Sequence, residues 1–109
     1  MFSEDVFEFL KSIEIKHSKK IIYNIRNSEN KNDPELFKKL EDDIWEFRTL
    51  YQKFQYRLLA FWDKTNSEST LVISTHGFVK KQRKVPKKEI ERAKNLRTKC
   101  FEEKNLNKL

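Results

Sequence analysis

Between Gln55 and Asp63 the chain reads QYRLLAFWD, a run that is apolar on both sides when the backbone is extended. Alternation sets Arg57, Leu59 and Phe61 on one face and Tyr56, Leu58, Ala60 and Trp62 on the other. A strand with two apolar faces belongs in the middle of a sheet. Its neighbours are IWEFRTLY (44–51) and TLVISTHGFV (70–79), equally dense in aromatic and branched residues. The short QKF and the turn-rich KTNSES between the runs suit an antiparallel meander. In the first run Trp45 and Phe47 alternate with Glu46 and Arg48.

Helical spacing precedes and follows this block. SEDVFEFLKSI places Val6, Phe7, Leu10 and Ile13 on one stripe behind Ser3 as N-cap, with Glu4 and Asp5 in the first turn. HSKKIIYNIRNSEN repeats the scheme with Ser18 as cap and Ile21, Ile22 and Ile25 as the buried stripe. Asp33 followed by Pro34 predicts a short third helical turn through PELFKKL. From Pro86 onward Ile90, Ala93, Arg97 and Phe101 share a face, with Leu96 and Cys100 nearby. Helices, then a sheet, then one helix make an α+β fold, in one domain over residues 1–109.

Charge is concentrated at one end. Residues 1–79 carry 12 Lys/Arg against 13 Asp/Glu, and residues 80–109 carry 12 against 4. From Lys80 to Glu89 six of ten residues are basic: Lys80, Lys81, Arg83, Lys84, Lys87 and Lys88. Such asymmetry is the footprint of a nucleic-acid binder, the bland alternative being a solvated face. One cysteine, Cys100, cannot form an internal disulfide, which fits a reducing compartment, the cytoplasm. The acidic start and the brevity of the longest apolar run, LLAFW, speak against export and against a membrane partner. One Cys and two separated His give no metal-ligand spacing, and no phosphate loop or Ser-His-Asp pattern is present, so no cofactor is expected.

Two arginines stand inside the strands. Pairing of 44–51 with 55–63 through a short connection brings Arg48 and Arg57 onto one face. Like charges held together favour a shared anion, and a phosphate accepts donors from both planar forks. Alternatively Glu46 or another acid neutralises each one. His76 and Gly77, the chain's one glycine, close the third strand, and Gly77 would let it bulge or bend before the cationic stretch.

LFKKLEDDIWEFRTLYQKFQYRLLAFWDK followed by LVISTHGFVKKQRKVPKKEIERAK resembles the HigB-like branch of the RelE/ParE toxin superfamily over about residues 36–97. The usual pattern there is a KKL…W-E-L/F-R strand, a YR strand and HGFVKK-x-x-K-x-P-x-x-EI. The resemblance implies two N-terminal helices on a small twisted antiparallel sheet with a C-terminal helix. It further implies a cytoplasmic endoribonuclease that cuts mRNA on the ribosome and is silenced by a helix-turn-helix, HigA-like antitoxin. The chemistry it implies is attack of a ribose 2′-hydroxyl on the adjacent phosphate, without metal or small-molecule cofactor. Arg48, Arg57, Lys80 and Lys81 would stabilise the developing charge. His76, the nearby group titrating around neutrality, would move the proton. Arg83, Lys84, Lys87 and Lys88 would hold the rest of the RNA. Only Met1 and Phe2 precede Ser3, so the strand with which these toxins usually begin is absent or a stub. Val85 stands where a hydroxyl residue usually precedes the proline, and Glu46 stands where some RelE-type toxins have a catalytic lysine, whose role therefore does not transfer. A ParE-like DNA gyrase inhibitor and a non-catalytic nucleic-acid-binding module are the alternatives.

The six cations of 80–88 generate a salt test. Affinity for single-stranded RNA should fall with a log–log slope of about 0.7 per contacted phosphate, and neutralising several of the six should flatten it. A salt-independent affinity in filter-binding titrations would remove the polyanion explanation.

Overall fold

A computed structural model describes residues 1–64 and 71–107. Its order is α1 (Glu4–Ser12), α2 (Ile15–Asn30), β1 (Phe37–Glu41), β2 (Ile44–Tyr51), β3 (Phe54–Asp63), β4 (Leu71–Val79) and α3 (Lys87–Asn107). The four strands form an antiparallel sheet in the order β1-β2-β3-β4. Thr70, with which the sequence pattern begins the last strand, and residues 65–69 of the preceding turn lie outside the described residues.

The two faces of β3 divide as its alternation requires. Tyr56, Leu58 and Ala60 join Phe47 under Val6 and Leu10 of α1 and Ile21 and Ile25 of α2. On the other face Leu59 and Phe61 join Ile44 and meet Ala93 and Phe101 of α3. Each large apolar side chain buried this way contributes roughly 1.5–3 kcal/mol. Ser3 caps α1 by accepting from Val6 N–H, as the sequence predicts.

Three expectations change. Residues 34–36 make one turn, closed by Leu36 and Phe37 N–H on Asp33 C=O, and 37–41 then run as edge strand β1 instead of a helix. Phe37 stacks on Trp45 and Phe47 at 4.9 and 4.4 Å, a gain that outweighs the helical spacing of PELFKKL. Helix α2 starts at Ile15, so Ser18 lies inside it and donates to Leu10 C=O rather than capping. The register irregularity in β4 falls opposite Leu59/Ala60, before Gly77, and Gly77 has no positive φ. Its missing side chain serves packing: a Cβ there would stand 2.5 Å from Leu58 Cδ2 and closer still to the Phe9 ring.

The stub of an opening strand takes shape at residues 1–3. Phe2 forms one parallel bridge with Ser74, with Ser3 N–H donating to Ser74 C=O and Ser74 N–H to Met1 C=O. Among the described residues no helix is long and apolar enough to cross a membrane.

Gly77→Ala should cost about 1–3 kcal/mol, because Phe9 must leave its place against Tyr56 to admit the methyl group. Urea unfolding midpoints of the two proteins check this, and equal midpoints would show that α1 shifts without cost.

Candidate functional site

The β2–β3 ladder sets Arg48 directly opposite Arg57, so both side chains leave the same face of the sheet. Glu46, two residues before Arg48, shares that face and lies opposite Leu59. Its Oε1 stands 3.5 Å from Arg48 Nε and its Oε2 3.5 Å from Arg57 Nε. One carboxylate thus serves two guanidiniums. Both Glu46 and Arg57 are almost wholly buried, at 5% and 3% exposure, so neither depends on water for its charge balance. Arg57 Nη1 also donates to Tyr56 C=O, and Arg48 Nη1 to Pro34 C=O. Burial pulls the Arg57 pKa below its ordinary value; Glu46 opposes the shift and Arg48 adds to it.

Two lysines complete the group. Lys80 N–H bonds to Gln55 C=O, which extends the ladder one residue past β4 and holds Lys80 beside the arginines. Its ammonium is pulled below the usual lysine range by burial first and Arg57 second; Glu46 opposes, and Arg48 and Lys38 reinforce the shift. Lys38 reaches this face because β1 pairs it with Glu46. Arg48 and Arg57 border an open cleft of about 360 Å³, lined also by Glu35, Leu50 and Gln55. Arg48 and Arg57 balance Glu35 and Glu46, and Lys80 and Lys38 nearby put positive charge in excess. Such a cleft can hold an anion with several oxygens.

His76 lies one pair further along the same face, opposite Leu59, under the first turns of α3. Its Nδ1 is 3.0 Å from Thr75 Oγ1 and its Nε2 3.6 Å from Glu89 Oε1, with Phe78 stacked alongside. It is 1% exposed and does not line the cleft. Burial, then the charge of Arg92, push its pKa below the ordinary imidazole value against the pull of Glu89 and Asp5. The imidazole is therefore biased toward its neutral form and screened from solvent.

The basic end divides into two sets. Arg92 pairs with Asp5 at 2.9 Å, Lys94 with Glu41 and Asp42 at 3.0 Å, Arg97 with Asp43 at 3.5 Å, and Lys104 with Asp63. These cations dock α3. Lys81, Arg83 and Lys84 lie exposed in the irregular connection 80–86, and Lys87 and Lys88 on the first turn of α3. Among the described residues none of these five forms an ion pair.

A family model described as phage-derived protein Gp49-like matches residues 8–98. The chain belongs to the Gp49-like phage-derived protein family. That family is part of the RelE/HigB-type toxins of toxin-antitoxin systems. No curated protein and no solved structure matches the chain. The Gp49-like match spans Arg48, Arg57, His76 and the whole 80–88 segment, and it ends inside α3.

Two residues that shape or support this arrangement, Lys38 and His17, are not singled out from the sequence. Lys38 was hidden inside a segment that spaces like a helix. His17 continues the stripe of Ile21 and Ile25 one turn toward the N-terminus, so its burial was available from periodicity. Its Nδ1 lies 2.6 Å from Tyr56 Oη and its Nε2 3.2 Å from Gln52 Oε1, which ties the β2–β3 turn to α2. The opposite face of that hairpin supplies Leu50 and Gln55 to the cleft.

The state of His76 fixes a pH dependence. Its folded pKa is depressed, so its contribution is fully present above the unfolded value. As pH falls the unfolded chain takes the proton first, and stability declines down to the folded pKa. The slope is at most about 1.4 kcal/mol per pH unit. Urea midpoints at about pH 7.5 and about pH 5.5 should differ less in His76→Gln than in the unaltered chain; an equal difference would place the acid sensitivity elsewhere.

Proposed function

We propose that this chain is the toxin of a type II toxin-antitoxin pair and acts as an endoribonuclease on mRNA at the ribosome. The observation that carries the reading is Glu46 shared between Arg48 and Arg57. A carboxylate for each arginine would leave a neutral structural cluster. One carboxylate for two, with Lys80 beside them, leaves a cationic surplus even against Glu35 at the open cleft. In phosphodiester transesterification the 2′-hydroxyl loses its proton to solvent water and attacks phosphorus, the bond to the 5′-oxygen breaks to leave a 2′,3′-cyclic phosphate, and negative charge builds on the non-bridging oxygens. Arg48 and Arg57 stabilise that charge. Lys80, its ammonium made more acidic by burial and by Arg57, donates the proton to the departing 5′-oxygen. His76 takes part in proton transfer only when the first turn of α3 lifts Glu89 away from it. Lys81, Arg83, Lys84, Lys87 and Lys88, exposed and without acidic partners among the described residues, track the flanking phosphates. The membership in the RelE/HigB-type toxins supports a cognate antitoxin, for which a helix-turn-helix, HigA-like protein is the expected form, with both acting in the cytoplasm.

Arg57→Ala isolates the chemistry from the fold. Glu46 keeps Arg48 when Arg57 is removed, so no buried carboxylate is left without a cation. The variant should fold, bind its antitoxin and lose roughly 10²–10³-fold in cleavage rate. Primer extension on RNA from expressing cells reads the result: new discrete 5′ ends with the unaltered chain and none with Arg57→Ala. Growth arrest with lost supercoiling and no new ends would establish gyrase inhibition instead. A variant that fails to fold would give Arg57 a structural role.

A further inference from the structure

The sheet end opposite the Gln52–Lys53 turn carries a feature that the cleft does not use. Trp45 and Trp62, the chain's two tryptophans, meet edge to face at 6.0 Å and are both half-buried. Phe37 stacks on Trp45, and Lys64 Nζ lies 5.8 Å over the Trp62 ring. They border an open depression of about 580 Å³ that also takes in Lys39. Asp42 and Asp43 line the same depression, and each already pairs with a cation of α3: Lys94 and Arg97. With both acids already paired, Lys39 and Lys64 leave the rim mildly cationic, and the indole faces between them suit the ring of a base.

Edge strand β1 joins this depression to the cleft. It pairs Lys38 with Glu46 and Lys39 with Trp45, so consecutive lysines point to opposite faces of the sheet. Both are exposed. Along β2, Trp45 lies three residues from Arg48, about 10 Å. A strand of RNA leaving the Arg48–Arg57 cleft thus meets a cation on each side of the β1 edge and then an aromatic surface.

We infer that the Trp45–Trp62 depression is a second RNA subsite, where a base of the single strand flanking the scissile phosphate stacks after the backbone crosses Lys38 and Lys39. Stacking on aromatic side chains is how single-stranded nucleic acid is held without base-specific hydrogen bonds. The inference rests on the RNA reading of the cleft.

Because both tryptophans sit in the subsite, the emission of the unaltered protein reports on it directly. The probe is a non-cleavable 2′-O-methyl oligoadenylate of about ten nucleotides, the length expected to span cleft and subsite together. Its binding is followed separately by anisotropy of an end-labelled copy. Tryptophan emission should be quenched with the same midpoint as the anisotropy change. Inorganic polyphosphate should displace the labelled oligonucleotide and leave the emission unchanged, since it offers charge without bases. Trp62→Leu should weaken oligonucleotide binding about tenfold, and the double variant Lys39→Ala/Lys64→Ala, confined to exposed positions, should weaken it in the same direction. Oligonucleotide binding with unchanged emission would overturn the subsite and leave the cleft reading standing. Equal quenching by polyphosphate would overturn stacking as the cause. No anisotropy change at any concentration would overturn the RNA reading itself, and the subsite with it.

Discussion

The pairing of Arg48 with Arg57 across β2 and β3 is the constraint on which the site depends. A slip of one residue in that register would turn every side chain of one strand to the other face and bury a guanidinium among Phe47, Leu58 and Ile21. Two devices hold the register. One is the pair of unlike apolar faces, because Tyr56, Leu58 and Ala60 fit α1 and α2 while Leu59 and Phe61 fit α3. The other is the two-residue turn at Gln52 and Lys53, both at positive φ, a conformation that costs a non-glycine residue roughly 1–2 kcal/mol. His17 bonds Gln52 and Tyr56 at once and so offsets part of that strain. A buried histidine on α2 thereby stabilises the hairpin whose other face lines the cleft.

Helix α3 gives the charge asymmetry of the sequence its structural meaning. A concentrated run of cations repels itself, and the fold relieves only the C-terminal part of it. Arg92, Lys94, Arg97 and Lys104 find acids on α1, the β1–β2 turn and the end of β3. Pairs of this kind at the surface contribute little individually, but four along one helix fix which side of it faces the sheet. The apolar side of α3 is thin, with Ile90 and Ala93 buried and Phe101 partly so, and orientation by charge compensates for that. Among the described residues the stretch from Lys81 to Lys88, close in sequence to Lys80 and the cleft, forms no ion pair through its cations.

Strands β2, β3 and β4, both N-terminal helices and α3 were legible because each has an apolar period long enough to read. Arg48 beside Arg57 followed from the same alternation. What was not legible came from interactions distant in sequence. β1 reads locally as a helix, since Pro34 and the spacing of Leu36, Phe37 and Leu40 all suit one, and only stacking of Phe37 on Trp45 and Phe47 decides for a strand. Gly77 suggests a bend from composition alone, whereas its reason is a phenylalanine nearly seventy residues earlier in the chain. His76 follows the strand pattern correctly, yet its seclusion depends on where Glu89 and Phe78 close over it.

The division of one carboxylate between two arginines also explains how the fold tolerates two adjacent guanidiniums, one of them buried. Two guanidiniums taken from water with no acid would cost far more than the sheet recovers from packing. Two acids would remove the cost and the affinity together. With Glu46 alone, each arginine keeps a partial counter-charge at Nε, and one Nη1 of each is anchored on a backbone carbonyl, at Tyr56 and Pro34. Each planar fork has further N–H donors beyond these contacts. Their orientation is already fixed by the strands, so under the proposed RNA reading a phosphate would meet donors whose ordering cost was met in folding. The shared carboxylate stabilises the paired arginines and, by being only one, leaves the pair with a net positive charge.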